Sequence, residues 1–247
     1  LSTDWQMTIQ DNKVKMDNKK YLQEKGEYLN KNPTWHAEDS PFKAKWILTI
    51  LRKNNISPNT VVEVGCGAGE ILHQLYKKLP DDVEFKGYDI AIDAIKLAKK
   101  REQERLSFYH EDFFQTKEYA DLLLVIDVFE HVEDCFAFLR SCKNRSKFVV
   151  FHIPIEISAQ AVVRNRLMVG RKSVGHLHYF MKETALATLA DTGFEILDYN
   201  YTAGMLELPN KALISKLAAV PRRVLFRINE DFTVRLLGGY SLMVLAK

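Results

Sequence analysis

The 247 residues contain no apolar run long enough to cross a bilayer, no low-complexity segment, no internal repeat and only three cysteines. A membrane-spanning helix needs about 20 consecutive apolar residues, so no transmembrane segment is expected. Cys66, Cys135 and Cys142 are too few for the disulfide framework of a secreted domain, and they fit a reducing, cytoplasmic setting. The stretch from Leu1 through Asp4 and Asp11, with several lysines, lacks the apolar core of a signal peptide. Charge of one sign is also scarce. The net charge is +3 and no arginine-rich patch is interleaved with aromatics, so no nucleic-acid partner is expected. The hydrophobic content of 47% is ordinary for a globular core, and the length suits one α/β domain with additions.

What the chain does have is the run Val61-Val62-Glu63-Val64-Gly65-Cys66-Gly67-Ala68-Gly69-Glu70. The β-branched residues from Thr60 to Val64 predict a strand buried on both faces, and Ile71, Leu72, Leu75, Tyr76 and Leu79 recur at helical spacing. The glycines therefore fall at a strand-to-helix turn, where bare backbone and the free N–H groups of a helix start can meet a ligand. Close packing of strand on helix is the plainer use of such a turn. A dinucleotide fingerprint would put its third glycine at position 70, which is Glu70, so an NAD-linked oxidoreductase fits poorly. A second strand, Glu84 to Ile90, carries Asp89 near its end. Its carboxylate can accept from two ribose hydroxyls, or it can cap a helix starting near Ala91.

Glu63-x-Gly65-x-Gly67-x-Gly69 resembles the first motif of the class I S-adenosylmethionine (SAM) dependent methyltransferases. The resemblance implies S-adenosyl-L-methionine as cofactor, with Gly65, Cys66, Gly67 and Gly69 under its methionine part and Glu63 organising that end. Asp89 and Ile90 would meet the ribose. In Leu106 to Phe113, Asp112 would take the exocyclic amine of adenine and Phe113 would cover the ring. At the end of the apolar strand Asp121 to Asp127, Asp127 and Val128 would line the methyl-donor end, and His131 would face the acceptor. An imidazole accepts a proton near neutral pH, which makes His131 the first candidate general base. Alternatively, Glu130 and His131 only hold the loop by hydrogen bonds. This loop lacks the prolines of adenine amino-methyltransferases and the Pro-Cys of cytosine C5 enzymes.

The order of elements extends the resemblance over roughly 140 residues. Lys147 to Ile153 predicts a fifth strand stopped by Pro154, Lys182 to Asp191 a helix ended at Gly193, Phe194 to Tyr201 a sixth strand and Tyr240 to Ala246 a seventh. The implied fold is α/β and Rossmann-like: a seven-stranded sheet, mostly parallel with an antiparallel last strand, and helices on both faces. Within one domain, residues 1–54 would be a helical lid, 55–202 the SAM-binding core, 203–239 a helical insert and 240–247 the last strand. Tyr28, Trp35 and His36 are candidates to line the lid, with Ser40 capping its helix. The insert holds six basic residues (Lys211, Lys216, Arg222, Arg223, Arg227, Arg235) against three acidic ones, which leaves contact with an anionic substrate or a membrane surface open.

Cys135 and Cys142 share a helix face with Phe138 and Leu139 and are expected in the core. His176 and His178 lack a third ligand at recognisable spacing, so no metal is expected. His176 or His178, together with His152, is instead expected to border the acceptor pocket, with one of them sharing the catalytic base role with His131; His152 and His176 are the candidates carried forward. The function expected is methyl transfer to a small molecule, at a hydroxyl of a sugar or other polar metabolite. The rival is a SAM-binding regulator or scaffold without turnover. Oligomeric state is not encoded in any feature of the sequence.

Overall fold

The computed structural model describes Thr34, Trp35, residues 37–204 and residues 213–247, the side chains of 213–219 excepted. Tyr28, His36 and Lys211 lie outside the described residues, as does the side chain of Lys216. The strands are β1 Thr60–Val64, β2 Glu84–Asp89, β3 Leu106–His110, β4 Ala120–Ile126, β5 Ser146–Ile155, β6 Ile196–Thr202 and β7 Tyr240–Ala246. They form one sheet in the order β3-β2-β1-β4-β5-β7-β6. The pairings from β3 across to β5 are parallel, whereas β7 is antiparallel to both β5 and β6. The chain thus forms the expected Rossmann-like sheet with its last strand reversed.

The helices are α1 Ser40–Lys53, α2 Glu70–Tyr76, α3 Ile92–Ala98, α4 Cys135–Asn144, α5 Ala159–Val163, α6 Arg166–Ser173, α7 Lys182–Asp191, α8 Leu213–Ile228 and α9 Glu230–Leu237. Strand residues alternate between two buried layers, as the two-residue period of a strand requires. Val61, Leu122 and Leu124 pack with Ile47 and Leu51 of α1 and Leu72 of α2. Val62, Leu123 and Val125 pack on the opposite face with Phe138, Leu139, Cys135 and Cys142 of α4. The cysteines therefore serve as small core hydrophobes, at 3% and 0% exposure.

Three details depart from the sequence reading. Pro154 does not stop β5, which runs through it to Ile155 and pairs Pro154 with Ser241. The carbonyl of His152 accepts from the N–H of Asp127, so the nitrogen two residues on faces the same side, past the end of β4. No ladder donor is lost there. Ser40 is the first helical residue rather than the cap, because a 3-10 turn over Ala37–Asp39 leads directly into α1. Between β5 and α7 the chain forms α5 and α6, two helices that the sequence reading did not include.

After β1 the chain goes to β2 on one side, while β4 lies on the other side of β1. The sheet order therefore reverses at the carboxyl ends of β1 and β4, the place where such sheets open a crevice for a ligand. Gly65 follows β1 and Asp127 follows β4, both at positive φ, 71° and 55°.

Candidate active site

An open cleft with about 760 Å³ of empty space lies at this reversal. Its walls include Gly65, Asp89, Ile90, Asp112, Phe113 and Val128, which are six of the residues expected to hold the cofactor. The glycine loop is anchored by the N–H groups of Gly65 and Cys66, which donate to the Tyr88 carbonyl at 2.8 and 3.1 Å. Asp89 accepts from the Gly67 N–H at 2.8 Å through one carboxylate oxygen and from the Ala91 N–H at 2.8 Å through the other. It therefore ties the loop to the start of the next helix. Each oxygen keeps a lone pair for a ligand.

The glycines do different jobs. A Cβ on Gly67, at φ 54°, would meet the Trp35 indole at 2.7 Å, on the cleft side of the loop. A Cβ on Gly69, at φ 75°, would strike the ring of Phe108, which is buried in the core. Phe113 is itself only 1% exposed and belongs mostly to the core, while Asp112 accepts from the Phe114 N–H at 3.0 Å and fixes the turn beyond β3.

A second, more polar cleft adjoins the first. Trp35, Gly65, Asp127 and His131 line both, and Lys43, Glu63, Glu70 and His176 line the second alone. Glu63 is 2% exposed with its Oε2 atom lacking a hydrogen-bond partner, and burial pushes its carboxyl well above the usual range. Cys66 is buried as well, and desolvation raises its thiol pKa, so the loop offers backbone there and not a thiolate.

Asp127 links three elements. Its carboxylate accepts from His152 Nδ1 of β5 at 2.6 Å and from Lys43 Nζ of α1 at 2.6 Å. Burial alone would raise its pKa, but the His152 and Lys43 partners outweigh burial and hold it below the ordinary carboxylate range. The other ring nitrogen of His152 is bonded to the Thr202 hydroxyl at 2.9 Å. His152 lines neither cleft, and both its nitrogens are engaged. It positions Asp127, which departs from its expected place beside the acceptor.

The turn Phe129–His131 carries the remaining groups. The His131 and His176 rings meet edge to face with centroids 4.7 Å apart. His176 donates Nδ1–H to Glu156 at 2.6 Å, the pairing that orients an imidazole and leaves its other nitrogen free to act. His178 does not join His176. It is bonded through Nε2 to the Val132 carbonyl at 2.8 Å and fixes the loop. Lys43 and Glu156 were missed by the sequence reading. Glu156 follows the end of β5, a position where strand order alone gives reason to look for site residues. Lys43 gave no local signal, since its role depends on α1 packing across the sheet.

Part of the insert's charge is spent within the fold. Arg222 donates to the Gly238 and Leu237 carbonyls and Arg235 to Glu183. On α8, Val220, Val224 and Ile228 are exposed beside Arg223 and Arg227. Among the described residues, no helix is long and apolar enough to cross a membrane.

A family profile for a methyltransferase domain matches residues 35–199, about two thirds of the chain. The chain belongs to this methyltransferase family. Its fold is similar to magnesium protoporphyrin IX methyltransferase from Synechocystis, solved with S-adenosylhomocysteine (16% identity, TM-score 0.54, 85% of this chain and 82% of that one). It is also similar to a chain of the Haloferax volcanii complex between the Trm112 activator and a methyltransferase (13%, 0.61, 89% and 92%). A SAM-dependent methyltransferase from Archaeoglobus fulgidus matches as well (21%, 0.52, 83% and 94%). At such identities the likeness speaks for the fold. No curated protein matches in sequence. The protein is a SAM-dependent methyltransferase of the class I fold. The groups at the sheet reversal fit that cofactor: a doubly anchored acid at the end of β2, an orphaned buried oxygen on Glu63 and a loop that a Cβ on Gly67 would obstruct.

Proposed function

We propose that this chain methylates a hydroxyl of a small polar molecule, a sugar or a metabolite of similar polarity, bound in the second cleft. The observation that carries this reading is His131, which stands on the wall shared by both clefts with the Glu156-oriented His176 beside it. Bound SAM supplies an electrophilic methyl group on its sulfonium. The chain has to hold donor and acceptor in line and receive the proton that the hydroxyl loses as its oxygen bonds to carbon. His131 and His176 are the groups in place to do so.

Lining chemistry supports a small uncharged acceptor. Asp39, Glu63, Glu70 and Asp127 border the second cleft, and the one lysine there is paired with Asp127. Among the described lining residues, no lysine or arginine is left uncommitted to receive a phosphate or an acidic metabolite. Asp89, Ile90, Asp112 and Phe113 are assigned to the nucleoside part of the cofactor, and Glu63 with Gly65, Cys66, Gly67 and Gly69 to its methionine part. Asp127 and Val128 lie between them and the acceptor.

The test is a screen of hydroxylated metabolites with S-adenosylhomocysteine formation as readout. Turnover with a neutral polyol or sugar is expected, and turnover restricted to nucleic acid or to amines would overturn the assignment. SAM binding without turnover on any acceptor would favour a regulatory role.

A further inference from the structure

We infer that Glu130, His131 and His176 form a binding site for a divalent transition-metal ion at the acceptor end of the second cleft. One carboxylate oxygen and one nitrogen from each ring lie within 4.8 Å of one another. Ligands held at about 2.0–2.2 Å in a tetrahedral arrangement stand roughly 3.3–3.6 Å apart, so closure draws the ligand atoms together by up to about 1.5 Å, a movement that side-chain rotation supplies.

Glu130 is the independent sign of a missing ligand. Its side chain is 1% exposed, and neither carboxylate oxygen has a hydrogen-bond partner. A carboxylate buried in that state is costly unless a cation or a donor meets it. Lys43, the cation of this cleft, is committed to Asp127. The site is also rigid. The Glu130 carbonyl accepts from the N–H groups of Leu177 and His178 at 2.8 and 3.1 Å, which clamps the loop bearing His176 onto the turn bearing Glu130 and His131.

His176 is prepared as a ligand. Its Nδ1–H goes to Glu156 at 2.6 Å, so the opposite nitrogen carries the lone pair, the arrangement by which a carboxylate orients a metal-bound imidazole. Two imidazoles and one carboxylate favour Mn²⁺, Fe²⁺, Co²⁺ or Zn²⁺ over Mg²⁺ or Ca²⁺, which prefer oxygen throughout. Three protein ligands leave coordination positions open. Those positions would face the cleft that His131 and His176 line.

The inference rests on the proposed methyl transfer for its role, though not for its existence. A hydroxyl coordinated at an open position is acidified by the ion and loses its proton to solvent in the cleft. Its oxygen then bonds to the methyl carbon as the carbon–sulfur bond breaks and the electron pair stays on sulfur. In this arrangement the imidazoles hold the ion instead of taking the proton.

The experiment is to strip the purified protein with a chelator, titrate it with Mn²⁺ under electron paramagnetic resonance, and repeat with Zn²⁺ by calorimetry. One ion per chain is expected. Glu130→Gln and His176→Ala should abolish the site, and Glu156→Gln should weaken it by about 10–100-fold, the scale of a lost outer partner. Circular dichroism and SAM affinity establish that each variant is folded. Where Glu130→Gln proves unfolded, His176→Ala decides. Absence of a bound ion, or unchanged affinity in folded His176→Ala, would overturn the inference. If the chelated enzyme still methylates a hydroxyl at full rate, the metal fails and the methyl-transfer reading stands. If the metal binds and no hydroxyl is ever methylated, that reading fails and the metal site stands.

Discussion

Lys43 of α1 places its ammonium 2.6 Å from the carboxylate of Asp127, and so latches the helix before the sheet to the loop that borders both clefts. The pair is mostly shielded from solvent, and Asp127 in turn holds His152. Removing the lysine would strip one partner from a buried acid while His152 still donates a hydrogen bond to it. Lys43→Met should therefore cost about 1.5–3 kcal/mol, the scale of a hydrogen bond to a charged group, and not the larger penalty of a fully abandoned charge. Urea unfolding measures this. A variant as stable as the parent, with the same SAM affinity, would show that the latch contributes nothing.

The glycine loop makes a prediction with two arms. Gly67→Val meets Trp35 on the cleft side, so SAM binding should fall by at least tenfold in a folded protein. Gly69→Ala meets Phe108 in the core, so it should lose about 1–3 kcal/mol of stability through overpacking. Calorimetry with SAM and thermal unfolding separate the two. If Gly67→Val loses stability and keeps its ligand, the division of labour is wrong.

Asp89 should matter twice, because its two oxygens already receive the Gly67 and Ala91 N–H groups before any ribose arrives. Asp89→Ala is expected to weaken SAM binding by roughly 1.5–3 kcal/mol, and the loop anchor is lost with it. A change below twofold in affinity would remove Asp89 from the ribose site.

A pH effect is expected away from the clefts. The Lys182 ammonium and the Tyr201 hydroxyl both donate to Asp231, and they hold its carboxyl below the usual range. For a depressed acid, the stabilisation is complete above the unfolded pKa, near 3.9, and disappears as pH falls through the lower folded value. Asp231→Asn should thus melt below the parent at pH 6, and the gap should close below about pH 4. Because the pair is partly exposed, salt should shrink the gap. An equal gap at pH 6 and pH 3 would contradict the linkage.

Local patterns made most of the sheet legible. Runs such as Thr60–Val64 and Tyr240–Ala246 declare a strand through residue type alone, and the observed limits agree. Pro154 misled because a proline's meaning depends on where the neighbouring strand ends, which is a tertiary fact. The same applies to the site. Gly65, Asp89 and Asp127 sit at strand ends and could be found from the sequence, whereas the contact of His176 with His131 requires one loop to fold back over another. His152 looked equivalent to His176 on the strand–loop map. Its neighbours Asp127 and Thr202, drawn from β4's end and β6, bury it instead.

His131 carries the sharpest catalytic test, since it lines both clefts while the residues proposed for the nucleoside, Asp89, Ile90, Asp112 and Phe113, line only the first. His131→Ala should keep SAM affinity within a few-fold and lower turnover by about 10²–10⁴, the range for a lost proton acceptor. Loss of an ion that acidifies the hydroxyl would lower turnover in the same direction, so the rate alone does not separate the two roles. The pH profile does. A histidine base gives a rate that falls as the imidazole protonates, and this limb is absent from the variant's residual rate whether or not divalent ions are present. With a metal-held hydroxyl, the parent's rate at fixed pH instead follows the ion concentration after chelation. Unchanged turnover in His131→Ala would exclude both roles and leave alignment of donor and acceptor by the two clefts as the source of catalysis.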